Sequence, residues 1–348
     1  MMKRFLLKAL LISSPVLLLL AIFFVADPFK IIYSYSDYSS NMVTMPNRDF
    51  VSTTMFDRNQ NKLHYNAFIF GSSRTVGYKT TTWNKYLPAS AKPFVFDAFV
   101  ESIFGIYTKV SYVDKSGADL KYCLVIIDPD CTFFRETGEQ HKGHMHMKHP
   151  KVAGTSWFNF YATSLKDYFD FNFLKSYLTF EVSKKYSSSM EGYILDESIK
   201  YDTVTNDVWR VQREQEILKN KKKYYVDKKD VFYDRDSLLK FTDPKISSTQ
   251  KEMLRQMKKI FVKHNTQFKI IISPLYDQKK LNIADLKILQ NIFGSETVND
   301  FSGINNITSS KEYYYESSHY RPVAGDTILN IIYSTDQEKA SLISFNTK

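Results

Sequence analysis

Two short blocks of this chain carry the residue types of nucleophilic catalysis. The first is Gly71-Ser72-Ser73-Arg74-Thr75, which follows directly on the apolar run Ala67-Phe68-Ile69-Phe70. A bounded run rich in aromatic and β-branched residues reads as a buried strand. The serines therefore stand at a strand's C-terminal end, where open parallel sheets bind their ligands. The second block is Glu316-Ser317-Ser318-His319, just ahead of a predicted helix from Val323 to Tyr333. A hydroxyl, an imidazole and a carboxylate are the parts of a triad, in which the histidine takes the hydroxyl proton and the carboxylate fixes the tautomer. Taken singly, Gly-Ser-Ser is also ordinary turn chemistry, and an acid and a histidine three residues apart also form surface loop pairs.

Together the blocks resemble those of the SGNH or GDSL-type hydrolases. That family reads Gly-Asp-Ser-x-Thr at the end of its first strand and Asp-x-x-His before its last helix. The resemblance spans roughly residues 65 to 335 and is carried by these two blocks. It implies Ser73 as nucleophile, His319 as base and Glu316 as the orienting acid, with one methylene more than the family's aspartate. More narrowly, the chain looks like the membrane-anchored cell-envelope branch, which includes the D-alanyl transfer protein and polysaccharide O-acetyltransferase-like members.

The same resemblance implies oxyanion donors from the nucleophile's own amide, a glycine after the second strand and an asparagine after the third. Here the second strand is followed by Asp97-Ala98-Phe99-Val100-Glu101-Ser102, so a backbone amide near Glu101 or Ser102 has to serve. The third is followed by Asp128-Pro129-Asp130. An ionised aspartate accepts hydrogen bonds and cannot donate one. Losing one oxyanion donor costs on the order of a hundred-fold in rate, so a protonated Asp130, Arg74 or a backbone amide has to replace it.

The elements that would position these residues can be read from periodicity. Strands are predicted at Ala67–Phe70, Pro93–Asp97, Tyr122–Ile127, Phe268–Pro274 and Thr297–Phe301. Between them lie predicted helices at Glu101–Tyr112, from a capping box at Thr249, and at Ile283–Phe293 closed by Gly294. Thr75 and Val76 are expected to open another after the first strand. Five strands separated by helices predict an α/β fold, a flavodoxin-like, doubly wound three-layer sandwich with a central parallel sheet. Its core is expected from residues 65–130 and 246–335. Residues 131–245 lack the alternation and read as a mainly helical insertion capping the active site.

Residues 1–28 read as a membrane anchor or signal. Lys3 and Arg4 flank an uncharged stretch from Ala9 to Ala26, and the positive flank is expected to stay in the cytoplasm. The lack of a small-x-small site before Asp27-Pro28 favours an uncleaved, single-pass transmembrane helix in the cytoplasmic membrane with the globular part extracytoplasmic. Residues 29–64 read as a linker packing on the domain. The net charge of +10 suits an anionic surface, and an extracytoplasmic site argues against nucleic acid. Cys123 and Cys131 flank a predicted extended strand, too far apart to bridge, and read as free thiols.

His141, His144, His146 and His149 cluster, yet their spacing fits no closed metal site and lysines flank them, so neither metal nor cofactor is expected. His144 or His149 is expected at the mouth of the site, contacting substrate. Lys219, Lys221, Lys222, Lys223, Lys228 and Lys229 read as a solvated face, and the aromatic stripe from Phe158 to Phe180 as core.

These readings predict a serine esterase or O-acyltransferase acting on acyl esters of a cell-envelope polysaccharide. The family resemblance adds an integral membrane acyltransferase as partner. The competing expectation is a non-catalytic envelope protein of the same fold that binds glycan or an assembly partner.

Overall fold

The structure is a computed structural model and describes residues 2–136, 143–235 and 238–334. His141, and position 335 at the expected end of the core, lie outside the described residues. Strands β1 (Ala67–Gly71), β2 (Pro93–Asp97), β3 (Tyr122–Ile127), β4 (Gln267–Ile272) and β5 (Val298–Asp300) form one parallel sheet in the order β2-β1-β3-β4-β5. The central strands read as near-continuous apolar runs because both their faces are covered. Successive residues alternate between two cores. Phe68, Phe70, Val125 and Ile270 point into one, and Ile69, Leu124, Ile126 and Ile271 into the other.

The longer helices are α1 (Met2–Ala26), α2 (Arg48–Leu63), α3 (Ile103–Lys115), α4 (Trp157–Tyr168), α5 (Phe171–Ser183), α6 (Val211–Asp227), α7 (Ser248–Lys263), α8 (Ile283–Phe293) and α9 (Pro322–Tyr333). The first core is closed by α2, α3, α7 and α8, which contribute Phe56, Ile106, Met257 and Leu289. The second is closed by α9 and α6, through Ile328 and Ile217.

Three local expectations need correction. The segment following β1 is a 3-10 turn, Ser73–Gly77, rather than the start of a longer helix. The capping box of α7 is formed by Ser247 and Gln250, two residues ahead of Thr249. Within the expected linker lies α2, capped by Asn47, whose side chain accepts from the Phe50 amide at 2.9 Å. Half of this helix is buried and half of those buried positions are polar or charged, including Arg48, Asp49, Ser52 and Thr53.

The insertion supplies α4, α5 and α6 and an antiparallel ribbon of Ile199–Tyr201 with Val208–Arg210. The ribbon's turn covers the open edge of β2. The Val95 amide donates to the Thr205 carbonyl at 2.9 Å, and Asn206 Nδ2 donates to the Val95 carbonyl at 2.6 Å. An exposed sheet edge is a template for unwanted pairing, and here side-chain and loop groups occupy it.

Among the described residues, α1 is the one helix long and apolar enough to cross a membrane, with a mean hydropathy of 2.7. Most of its side chains are exposed, while Leu19, Ile22 and Phe23 pack against the first core.

Candidate active site

β1 ends at Gly71, where an added Cβ would stand 2.8 Å from the Ile126 Cβ. The chain then tightens into the 3-10 turn that begins at Ser73. The two serines have different surroundings. The Ser72 hydroxyl donates to Asp128 Oδ2 at 2.5 Å, and Ser273 donates to Oδ1 of the same carboxylate at 2.5 Å. Asp128 is fully buried at the end of β3, with its amide donating to Thr132 Oγ1 at 2.8 Å. Ser72 is thereby a strut between neighbouring strand ends. Ser73 Oγ instead lies 2.8 Å from His319 Nε2.

His319 sits in a short antiparallel ribbon, Tyr314–Glu316 with His319–Tyr320, directly ahead of α9. Its Nδ1 hydrogen-bonds Glu316 Oε1. Burial would raise the Glu316 carboxyl, but the hydrogen bond and charge of His319, with Arg210 and Arg213, bring it down to about 2. An ionised Glu316 accepts from Nδ1–H, which leaves Nε2 as the acceptor for the Ser73 hydroxyl. Burial lowers His319 itself below the usual imidazole range, with Arg210 and Arg74 lowering it further against the raising effect of Glu316. The imidazole is therefore neutral at neutral pH, the form that accepts a proton.

The second carboxylate oxygen of Glu316 is held from the insertion. Arg213 donates to Oε2 at 2.6 Å and Arg210 stands 3.7 Å from it, and both arginines also contact Glu197, at 2.7 and 3.1 Å. From α6, the Tyr224 hydroxyl donates to the Tyr315 carbonyl at 2.8 Å and that of Tyr225 to the Tyr314 carbonyl at 3.1 Å. Glu214 takes the fork of Arg321 at 3.1 and 2.8 Å, beside the start of α9. None of these residues was singled out from sequence. Their one signal there, a basic and tyrosine-rich tract, is shared with any solvated helix.

The residues expected at the oxyanion are each engaged elsewhere. Arg74 forms a bidentate pair with Asp130 at 2.7 and 2.8 Å, and its Nε donates to the Ser318 carbonyl at 2.8 Å. It bridges the serine turn to the histidine loop. Burial opposes its charge, yet Asp128 and Asp130 hold the guanidinium well above its usual range. Asp130, likewise, is lowered despite its burial because Arg74 bonds it, so it is an ionised acceptor. The Ser102 amide donates to its neighbour Glu101 Oε1 at 3.0 Å, and its hydroxyl caps α3 by accepting from the Gly105 amide.

The loop carrying Ser102 is anchored by buried charge. Arg48 donates to Asp97 at 3.1 and 2.6 Å, Lys109 contacts Glu101 at 2.6 Å and Asp49 at 3.0 Å, and Lys148 bonds Glu101 and lies 3.3 Å from Asp49. Within this loop Val100 has φ 46°. A β-branched residue in the left-handed region is strained, and such strain collects at functional sites.

The histidine segment is built into the fold. His144 stacks on Phe29 at 3.6 Å and its Nδ1 lies 3.0 Å from Asp167. His149 packs between Phe50 and Trp157, and burial pushes it down to about 4. Those partners lie in the linker, α2 and the insertion. Among the described residues, no group of three or more His, Cys, Asp or Glu side chains is arranged to hold a metal ion. Cys123 and Cys131 are free thiols.

Comparison with protein-family models and with curated proteins finds no match to this chain. The chemistry of the site therefore rests on its own geometry. That geometry is a strand-end hydroxyl on a neutral imidazole, which is oriented by an ionised carboxylate that two arginines hold in turn.

Proposed function

We propose that the chain is a serine esterase or O-acyltransferase of the SGNH type. We further propose that α1 anchors it in the cytoplasmic membrane and that it acts outside on acyl esters of a cell-envelope polysaccharide. The observation that carries this reading is the relay from Ser73 through His319 to Glu316. Its place at the ends of β1 and β3, in a sheet ordered 2-1-3-4-5, is where flavodoxin-like sheets bind ligands and adds support.

In this mechanism Ser73 Oγ attacks the acyl carbonyl carbon while His319 Nε2 takes the hydroxyl proton. Glu316 holds the imidazolium by its Nδ1–H. The proton then passes to the leaving alkoxide oxygen as its bond to the carbonyl carbon breaks, which leaves an acyl-serine. Water or a sugar hydroxyl attacks the acyl-serine, giving its proton to Nε2, and Ser73 takes the proton back as it leaves. An integral membrane acyltransferase supplying the acyl group belongs to the transferase form of this proposal.

A second reading is favoured by one specific set of contacts. Arg74 and Asp130 are bonded to each other and the Ser102 amide to Glu101, rather than free to meet an oxyanion. A glycan-binding protein without turnover would show the same arrangement. Labelling of the full chain with a fluorophosphonate probe, followed by peptide mapping, separates the two. An adduct on Ser73 that is lost in His319→Ala supports the enzyme, and a folded chain that takes no adduct supports the binding protein.

A further inference from the structure

We infer that the polar cavity at the outer end of α1 binds the phosphoethanolamine headgroup of a membrane lipid, with Lys30 and Tyr177 serving the phosphate and Asp37 and Glu181 the ammonium; the inference rests on reading α1 as a membrane span. The uncharged stretch of α1 runs from Ala9 to Ala26. At about 1.5 Å per residue it covers ~27 Å, close to the ~30 Å hydrocarbon thickness. Asp27, the first charged residue beyond it, then stands in the headgroup layer, which is roughly 5–8 Å deep on each side.

A cavity of about 380 Å³ opens at that level, lined by Ala26 and Asp27 and, from α5, by Tyr177 and Glu181. Its volume is within the range of small-molecule sites. The wall that carries Asp27 is tightly built. Asp27 Oδ1 accepts from the Ile31 amide at 2.9 Å, and Oδ2 from the Ile32 and Tyr33 amides and the Tyr35 hydroxyl at 2.9, 3.1 and 2.9 Å. Asp27 and Lys30 hold φ of 43° and 53°, the left-handed region where strain collects at ligand sites.

Two buried groups on this wall are unmatched. Lys30 is 8% exposed; its ammonium donates to the Ser40 carbonyl at 2.7 Å and lies 4.2 Å from the centre of the Tyr35 ring. Among the described residues, no carboxylate stands within ion-pairing distance of it. Burial lowers Lys30 from its ordinary range, with Asp27 and Asp37 acting against that from further away. Buried charges are normally paired, so this ammonium calls for an anion. Tyr177 is 3% exposed, and among the described residues its hydroxyl has no hydrogen-bond partner. Burial, then the charge of Glu181, pushes it up to about 12, so it stays a donor.

The remaining lining selects the rest of the ligand. Asp37 takes the Ser39 amide and hydroxyl on Oδ1 at 2.8 and 2.5 Å, and Glu181 takes Lys184 on Oε2. Their other oxygens can accept from an ammonium. With three carboxylates and one lysine in the lining, a purely anionic headgroup adds negative charge and brings no cation. Choline brings a cation without an N–H donor. Ethanolamine brings both.

The test uses the full chain in maltoside micelles, titrated with phosphatidylethanolamine, phosphatidylcholine or phosphatidylglycerol of matched acyl chains, with bound lipid counted by native mass spectrometry. Phosphatidylethanolamine is expected to bind about tenfold more tightly than either, the worth of one charge-assisted hydrogen bond. Asp37→Asn/Glu181→Gln should remove its preference over phosphatidylcholine. Tyr177→Phe keeps the ring stacked on Phe173 and should weaken phosphatidylethanolamine binding several-fold, with the Tm of the lipid-free chain unchanged. Equal binding of the three lipids, or a preference kept in the double variant, overturns the proposal. Binding unchanged in Tyr177→Phe overturns the part assigned to the hydroxyl. Soluble O-phosphoethanolamine that binds more tightly than the lipid overturns the assignment to a membrane lipid. Flotation with phosphatidylcholine vesicles tests the premise: a chain that floats but shows no headgroup preference keeps its anchor and loses this site, and one that does not float loses both.

Discussion

The Oγ of Ser73 and the Nε2 of His319 stand 2.8 Å apart although 246 residues of sequence separate them. The contact depends on how closely α9 approaches the serine turn. An added Cβ at Gly325 would fall 1.9 Å from the Gly77 carbonyl oxygen, and one at Gly77 would meet the Tyr320 ring at 2.3 Å. Only glycine at both places lets the ribbon bearing His319 settle against the turn bearing Ser73. Arg74, bonded to the Ser318 carbonyl, closes the same gap from the other side.

The two serines are expected to fail in different ways. Ser73→Ala removes the hydroxyl facing the imidazole and should abolish fluorophosphonate labelling with little change in unfolding free energy. Ser72→Ala takes a donor from the buried Asp128 carboxylate. It is expected to cost ~1–3 kcal/mol in urea unfolding while labelling of the folded fraction persists. Equal loss of labelling from both, with both folded, would remove Ser73 from its assigned role.

The arginines that face Glu316 should separate by pH profile. His319 must be neutral to act as base, so labelling is expected to rise with pH through a value below the usual 6.5 and then level off. Arg210 is one cause of that lowering, and Arg210→Met should move the rise to higher pH. Arg213→Met removes the 2.6 Å bond to Glu316 and should lower the plateau instead. About tenfold is expected, from the loss of one charge-assisted bond worth ~1.5 kcal/mol. A profile unmoved in Arg210→Met would contradict this electrostatic account. Both Glu316 and His319 are depressed in the folded protein, so the stability each contributes is present above its unfolded value and lost on acidification. For His319 the loss begins below pH 6.5, and for Glu316 it runs from the ordinary 4.5 down toward about 2.

What could be read from sequence followed the kind of physics each element uses. The parallel strands were legible because double-sided burial leaves uninterrupted apolar runs such as Tyr122–Ile127. The paired blocks around Ser73 and His319 were legible because the two residues each lie at a strand or helix boundary marked by turn residues. Helix α2 was not, since Arg48, Asp49 and Ser52 are buried by partners far away in sequence, Asp97, Lys109 and the Asp97 carbonyl. No periodicity announces a polar residue whose partner is distant. Arg213 and Tyr224 were hidden likewise, about a hundred residues from the ribbon they hold, in a tract whose charge suggests solvent. Ser102, Asp130 and Arg74 were nominated as donors by position alone, and only coordinates reveal that each already has a partner.

The buried charge cluster behind the second strand should be intolerant of single losses. Glu101 is fully buried between Lys109 and Lys148, with Asp49 completing the set. Glu101→Leu leaves two buried ammonium groups with one remaining carboxylate, and it is expected to destabilise by roughly 3–5 kcal/mol, measured by chemical unfolding. The double change Glu101→Leu/Lys148→Met leaves Lys109 paired with Asp49 at 3.0 Å and is expected to recover a good part of that loss, because uncompensated charge rather than lost contact is the main cost. A double variant less stable than the single one would refute this explanation.

Val100 offers the sharpest separation of stability from function. Its φ of 46° places a β-branched residue where side-chain and backbone atoms crowd, at a cost of about 1–3 kcal/mol. Its side chain is 42% exposed, so little packing repays that strain. Glycine adopts the same backbone freely but gives up roughly 0.5–1 kcal/mol in the unfolded chain's favour. Val100→Gly is therefore expected to raise the unfolding free energy by about 1 kcal/mol. If the strained loop serves to aim a backbone amide at the reacting carbonyl, the stabilised variant should keep the same backbone and label at Ser73 as fast as the parent. A stabilised chain that labels much more slowly would mean that the valine side chain itself contacts the substrate. A chain that is destabilised would mean that the left-handed conformation is not the strained point of the loop.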